Sequence, residues 1–263
     1  IRCARNGFGT SYTGALTMYD NSVERKMRLS EAFRKLYLKE DGSFYRFGEI
    51  QKNQEIADLL ENIAEQGVDY FYKGKVAKQI VDLINDRGGC FDVSDMESYE
   101  PKFREPVKTT YRGYEVAAFA PPSGGCALVE MLNILENYDV RSMGHNTAAS
   151  IHALTESMKL GFADRSVALG DPDFVNVDVE RLTSKKFAHE RFTLAGEKAG
   201  EFASADGIEA KQYPGNTSHF VVMDKDGNAF SQTQTIRDWF GCGIVVDGLG
   251  FVLNNAMSDF SAA

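Results

Sequence analysis

"YPGNTSHFVVMDKDGNAFSQTQTI", residues 213–236, is the stretch from which fold and function are read. "SHFVVM" and "AFSQTQTI" flank "DKDGN", the signature of two antiparallel strands joined by an Asp-Gly turn. Further on, "GIVV" and "FVLNN" flank "DGLG" in the same way. Thr217, Ser218 and His219 stand at the head of the first strand, directly after a loose stretch rich in Ala, Gly, Glu and Lys. That placement has two readings. One is a turn leading into an ordinary strand; the other is a cleavage point that makes Thr217 a new N-terminus.

A threonine hydroxyl is a weak nucleophile and needs a base beside it; at the first position of a chain its own α-amine takes the proton. A precursor generates such a residue when the hydroxyl attacks the preceding carbonyl, the acyl group moves from nitrogen to oxygen, and water cleaves the ester. The requirements are a Ser, Thr or Cys, a strained or flexible peptide before it, and a strand that fixes it afterwards. Asn216–Thr217 meets all three. Threonine at a strand start is also common, so these residues alone leave both readings open.

Upstream, residues 193–214 show little periodicity and many small or charged residues, which marks about 193–216 as a linker. Before it the chain is mostly helical. Ile56, Leu59, Leu60 and Ile63 recur at the spacing of one helix face with Gly67 as a stop, and Val76, Ile80, Leu83 and Ile84 repeat the design before Gly88 and Gly89. "TTYRGYEVAA" predicts a strand pair turning at Arg112–Gly113, and "APPSGG" a loop opening a helix with Leu128, Leu132 and Leu135 on one face. With neither a Walker lysine nor a GxGxxG pattern, that loop reads as a tight turn and helix start rather than a phosphate cradle. Residues 147–169 form a further helix, with Ile151, Leu154, Met158 and Phe162 expected inward and His152 a satisfied boundary histidine. Ser184 is a candidate N-cap for "SKKFAHERF". Helices followed by hairpins give an α+β or layered α/β/α expectation.

The composition is that of a globular protein, and a formal charge of −9 over 263 residues argues against a nucleic-acid partner, whose phosphates need a basic face. No apolar run reaches the roughly 18 residues of a membrane helix. Cys3, Cys90, Cys126 and Cys242 have no metal-ligand spacing and read as buried small hydrophobes. "DKDGN" mimics the start of a calcium loop but lacks the distal glutamate, and "NTS" at 216–218 matches the glycosylation pattern by overlap with the cleavage reading. The chain opens "IRCARNGFG" without Met and ends just after a strand; both ends read as cuts through a larger protein, and the compartment stays unassigned.

"NTSHFVVMDKDGNAFSQTQTI", "FGCGIVV" and "GFVLNNAMSDFS" resemble the start of the small subunit of the γ-glutamyltransferases, which belong to the N-terminal-nucleophile hydrolases. "FYKG", "APPSGG", "LNILENYD" and "MKLGFADRSVALGDPDFVNV" resemble the large subunit in the same order. The resemblance implies a four-layer αββα sandwich, present as a partial chain, and self-cleavage between Asn216 and Thr217. Residues 1–216 would then be the C-terminal part of the large subunit, and 217–263 the N-terminal part of the small one. It makes Thr217 both self-processing residue and catalytic nucleophile, and Thr235, closing T-x-T, the hydroxyl that orients it. Asp259 matches the acid that holds the α-ammonium of the γ-glutamyl group, with Asn254 and Asn255 supporting the local turn. No metal or organic cofactor is implied. The partners implied are a γ-glutamyl donor, glutathione-like or polyglutamyl, and water or an amino-acid acceptor.

The departures fall on substrate positions. Where the family carries Asn two residues after T-x-T this chain has Arg237, and where it carries Glu or Gln three residues before the acid it has Ala256. A guanidinium in place of a neutral partner, and the loss of a polar one, predict weaker recognition of an ammonium and a preference for an additional carboxylate, as in a polyglutamyl or N-blocked donor. The family's arginine for the α-carboxylate is expected upstream of Ile1, and its serine pair and Gly-Gly oxyanion hole beyond Ala263. Missing oxyanion donors usually cost about 3 kcal/mol or more. Two other readings remain: an acylase for β-lactam side chains using the same machinery, and an inactive homologue serving as a binding protein.

Overall fold

The computed structural model describes residues 1–202 and 217–260, and folds them as an α+β chain whose strands pair only as two-stranded antiparallel sheets. Asn216, most of the expected linker and the last three residues lie outside the described residues. The chain divides into two units, Ile1–Glu100 with Gln212–Ala263, and Pro101–Lys211. The first joins residues from both sides of the expected cleavage point.

In that unit the amphipathic helices Gln54–Gln66 and Gly74–Asp86 form where the apolar spacing predicts, with Asn53 capping the first through the Ile56 N–H and Gly67 ending it at φ 83°. Their apolar faces bury Leu59, Val76, Ile80 and Val81, whereas Leu60, expected on the same face, is exposed at its edge. The hairpin Val245–Val246 with Phe251–Val252 then wedges between two clusters. Successive strand residues point to opposite faces. Val246 therefore joins Leu59 and Ile80, while Val245 and Val252 join Met18, Val23, Met27 and Phe33. Fully burying each such side chain contributes about 1.5–3 kcal/mol. This anchors the segment after Thr235 onto the helices near the start of the chain.

The hairpin Thr217–Met223 with Ala229–Thr235 pairs over seven positions, from Thr217 opposite Thr235 to Met223 opposite Ala229. "DKDGN" is its turn: the Asp224 carboxylate accepts from the backbone N–H of Asp226 and of Asn228 and from the Asn228 side chain. The first strand is exposed along its whole length, Phe220 and Val222 on one face and Val221 and Met223 on the other.

The second unit carries the strand pair Val107–Tyr111 and Tyr114–Ala118, turning through left-handed Arg112 and Gly113 as expected. Helix Gly125–Leu135 packs on this pair and on helix Ala148–Ala168. Gly125 is required: a Cβ there would strike the Phe119 carbonyl oxygen. Here two sequence expectations are corrected. Ile151, Leu154, Met158 and Phe162 are exposed, and the buried face holds Ala153, Glu156, Ser157, Leu160 and Gly161. Small residues let the helices approach closely, and a Cβ on Gly161 would come within 2.6 Å of Met131 Cγ. Leu128 is likewise exposed and Leu132 and Leu135 half-buried, whereas Val129, Glu130, Asn133 and Ile134 face inward.

The reason is that this core contains polar groups, which an apolar-spacing argument passes over. Asn133 accepts from Thr109 Oγ1 and donates to the Thr183 carbonyl, both at 2.8 Å. Glu130 lies beside Asp164, which forms an ion pair with Arg191 at 2.6 Å but without the alignment of a hydrogen bond. Burial first, and Asp164 second, push the Glu130 carboxyl up to about 9. Glu156 runs the other way. Burial opposes its charge, but Lys159 and the Gly200 N–H outweigh that and hold it below the usual carboxylate range.

The cysteine expectation fails for three of the four. Cys126 is buried, Cys242 is half-buried, and Cys3 and Cys90 are exposed, the first on the short helix Arg2–Asn6, which buries none of its residues, and the second in the loop before Val93–Glu97. His152 is a satisfied boundary residue, its Nε2 lying 2.8 Å from the Gly196 carbonyl, and Ser184 caps Lys185–Phe192 through the Phe187 N–H. Among the described residues no helix is long and apolar enough to cross a membrane.

Candidate active site

Pairing in the first hairpin brings Thr217 and Thr235 together, 18 residues apart in sequence. They sit opposite each other at the open end, and Thr217 donates its hydroxyl proton to Thr235 Oγ1 at 3.1 Å. The period of two then lays a polar row along the same face. His219 Nδ1 lies 2.7 Å from Thr233 Oγ1, and its Nε2 lies 3.2 Å from Ser231 Oγ. His219 was named from the sequence only as part of the strand head, and Thr233 and Ser231 were not singled out; the i, i+2 alternation of T-S-H against S-Q-T-Q-T is the signal that joins them.

Just past Thr235 the chain turns sharply. Arg237 and Phe240 take left-handed conformations, φ 73° and 55°, as do Gly241 and Gly243. For non-glycine residues such geometry costs on the order of 1–3 kcal/mol each and persists only where surroundings enforce it. Here they do. The Arg237 N–H donates to Thr235 Oγ1 at 2.8 Å, so one hydroxyl oxygen accepts from both the Thr217 side chain and this turn. Phe240 packs edge-on against Phe33 and Tyr37. Gly241 runs against the Leu253 carbonyl and Gly243 against the Lys26 side chain, positions where a Cβ would collide. The F-G-x-G pattern therefore has a packing cause.

The Arg237 guanidinium is 11% exposed and donates to Asp259 Oδ1 at 2.6 Å and to Asp238 Oδ1 at 2.9 Å. The hydrogen bond to Asp259 leads in raising its pKa above the ordinary arginine value. Asn255 holds Asp238, accepting from its N–H and donating to its carboxylate, and Asn254 accepts from the Ala256 N–H. Ala256 opens the short 3-10 turn that ends at Asp259 and brings no polar side chain. Of the residues singled out from the sequence, Thr217, Thr235, Arg237 and Asp259 form one continuous chain of contacts; Asn216 lies outside the described residues.

A cavity of about 510 Å³ opens beside the threonine pair, walled by Tyr37, Ile236, Trp239, Phe240 and Val252. Burial raises the Tyr37 phenol to about 12, keeping it a neutral wall. Lys26 donates to the Trp239 carbonyl, and burial lowers its pKa against the opposing pull of Asp238. Among the described residues no cluster of three or more His, Cys, Asp or Glu could hold a metal ion.

A family model described as Gamma-glutamyltranspeptidase matches residues 1–263. The chain belongs to that enzyme family. The glutathione hydrolase proenzyme of Escherichia coli (strain K12) is 38% identical over 270 residues, 100% of this chain and 45% of that protein. An acylase ACY 1 proenzyme of Pseudomonas sp. (strain SE83) is 40% identical over 205 residues, covering 78% of this chain and 36% of that protein. Among solved structures, the cephalosporin acylase from Bacillus halodurans superposes with a TM-score of 0.83 at 28% identity, over 99% of this chain and 47% of that one. The chain thus spans about half the length, or less, of these relatives.

Proposed function

We propose that the protein of which this chain forms part is a self-processing γ-glutamyl acyltransferase or hydrolase with Thr217 as nucleophile. The observation that carries the reading is the Thr217–Thr235 hydroxyl pair at the open end of its hairpin, beside a cavity. In the uncut chain Thr217 N is an amide and offers no lone pair to a proton. Thr217 Oγ1 attacks the Asn216 carbonyl, the C–N bond breaks, and the hydroxyl proton ends on the departing nitrogen. Water then hydrolyses the ester. The freed α-amine becomes the general base for turnover. Thr217 Oγ1 attacks the γ-amide, the leaving amine takes the proton, and water or an amino-acid amine resolves the acyl-enzyme. Thr235 orients the hydroxyl in both reactions.

Residues 1–216 and 217–263 would belong to the two products, within the four-layer αββα sandwich of the N-terminal-nucleophile hydrolases. The donor is glutathione-like or polyglutamyl, and the word proenzyme in the relatives' names supports the processing step. A second reading is an acylase for β-lactam side chains. Arg237 and Ala256 favour it, as does the likeness to the cephalosporin acylase.

Intact-mass analysis of the complete purified protein beside Thr217→Ala tests the proposal. Two fragments meeting at Asn216/Thr217 in wild type and one chain in the variant are expected. A single uncut wild-type chain in folded protein would leave the inactive binding homologue as the better account.

A further inference from the structure

We infer that Lys26 is a positioning residue for the chemistry of Thr217: by bracing the turn that follows Thr235, it holds in place the hydroxyl oxygen to which the nucleophile is bonded. The inference rests on the acyl-transfer reading above and adds a residue that lies outside every motif read from the sequence. Lys26 stands on helix Asn21–Leu29, next to Met27 and one turn after Val23. Both of those are buried in the cluster that also takes Val245 and Val252, so the helix is fixed to the core beside the turn. The aliphatic stem of Lys26 lies against Gly243, where a Cβ would come within 2.6 Å of Lys26 Cβ and Cγ. Its ammonium donates to the Trp239 carbonyl. The side chain thus buries its stem and satisfies its charged end on one and the same turn.

The turn needs such a support, because Arg237, Phe240, Gly241 and Gly243 are all left-handed within it. The Gly241 N–H donates to the Asp238 carbonyl and the Gly243 N–H to the Phe240 carbonyl, both at 2.9 Å, which closes the turn on itself. The Trp239 carbonyl stands between those two in sequence and accepts from Lys26. Charge-assisted hydrogen bonds are roughly twice as strong as neutral ones. Asp238 and Asp20 both favour the charge that makes this one so. At the front of the turn the Arg237 N–H donates to Thr235 Oγ1 at 2.8 Å, and Thr217 donates to the same oxygen at 3.1 Å. Asp238 alone separates the peptide that Lys26 braces from the one that bonds Thr235. Its N–H is bonded to Asn255 and its carboxylate to Asn255 and Arg237, so no free joint lies between the two. Movement at Trp239 is therefore passed to the Arg237 N–H, and from there to the oxygen that orients the nucleophile.

The test is a double-mutant cycle on the complete protein, reading the rate of self-cleavage at 216/217 as intact mass over time. Lys26→Met keeps the stem over Gly243 and removes the ammonium. It should slow cleavage by about tenfold, the low end for losing a hydrogen bond from a charged group. Lys26→Arg offers the carbonyl another cationic donor and should stay within about threefold of wild type. In a Thr235→Val background the same Lys26→Met change should cost less than about twofold, because the oxygen through which it acts is gone. A lysine that only stabilises the fold would slow both backgrounds equally, and that result overturns the inference. So does a folded Lys26→Met that cleaves at the wild-type rate, or a Lys26→Arg as slow as the methionine variant. Should Lys26→Met lose its cooperative urea transition, Lys26→Gln replaces it in the cycle with the same expectations. Each of these reversals leaves the acyl-transfer reading standing, since wild type is still cut. An uncut wild-type chain removes that reading, and the inference with it.

Discussion

Replacing Thr235 by Val keeps the shape of the side chain and deletes one oxygen. That oxygen accepts from Thr217 Oγ1 at 3.1 Å and from the Arg237 N–H at 2.8 Å. Each neutral hydrogen bond is worth about 0.5–1.5 kcal/mol net, so losing both removes roughly 1–3 kcal/mol of positioning from the nucleophile. At 1.36 kcal/mol per factor of ten, Thr235→Val should slow self-cleavage by about 5- to 150-fold. The assay is a time course of intact mass on freshly purified complete protein, with Thr235→Ser beside it. Serine retains the oxygen and should recover most of the rate. Once cut, the valine variant should show a lowered kcat with KM within about twofold, since the hydroxyl bonds the nucleophile itself. Cleavage of Thr235→Val at the wild-type rate would refute the argument. So would a serine variant as slow as the valine one, because the loss would then come from packing.

Two further predictions concern the second unit. Glu130 ionises near 4.5 in an unfolded chain and near 9 when buried beside Asp164 in the folded one, with Arg191 and Arg181 pulling the other way. A raised folded pKa gives stability that is full below about 4.5 and is lost as pH rises toward 9. Glu130→Gln removes that linkage, so its urea midpoint should gain on wild type steadily between those limits, with a slope of at most about 1.4 kcal/mol per pH unit; a pH-independent difference would contradict the buried proton. Gly125→Ala drives a Cβ into the Phe119 carbonyl oxygen and should lower stability by about 1–3 kcal/mol, read from the same urea transition. An unchanged midpoint would mean that the loop before this helix shifts freely.

How much was legible follows from where each signal is written. Hairpins, their Asp-Gly and Arg-Gly turns and the serine cap depend on residues close in sequence, and they form as predicted. Helices Gln54–Gln66 and Gly74–Asp86 carry an apolar stripe that, Leu60 apart, is also the stripe they pack inward. Helix Ala148–Ala168 misled because it is apolar on more than one side, and close approach selected Ala153, Ser157 and Gly161 over the larger Ile151 and Leu154. Size complementarity with a neighbouring helix is a property of the pair, and no periodicity in one helix records it. Buried Glu130 and Asn133 were invisible for the same reason, since their partners come from distant segments.

At the site the division is sharper still. Thr217 and Thr235 were legible through the resemblance of the T-S-H head and the T-x-T tail to the family's motifs, and strand register, which sets Thr217 opposite Thr235, is the physical reason that they meet. The sequence also marked Arg237 as a foreign charge beside Asp259, yet it could not say that the two would meet. They are 22 residues apart, and their contact exists only because Arg237 turns left-handed to bond Thr235 while the Ala256–Asp259 turn swings the carboxylate back. A charge that looks foreign in the sequence is thus, in three dimensions, one half of an ion pair that ties the turn after Thr235 to the Ala256–Asp259 turn. The Arg237 N–H bonds the nucleophile's partner while its guanidinium holds Asp259, so substitutions at 237 and at 259 should both change the rate of self-cleavage in the intact-mass time course, and an unchanged rate for Asp259→Asn would show that the ion pair does not brace Thr235.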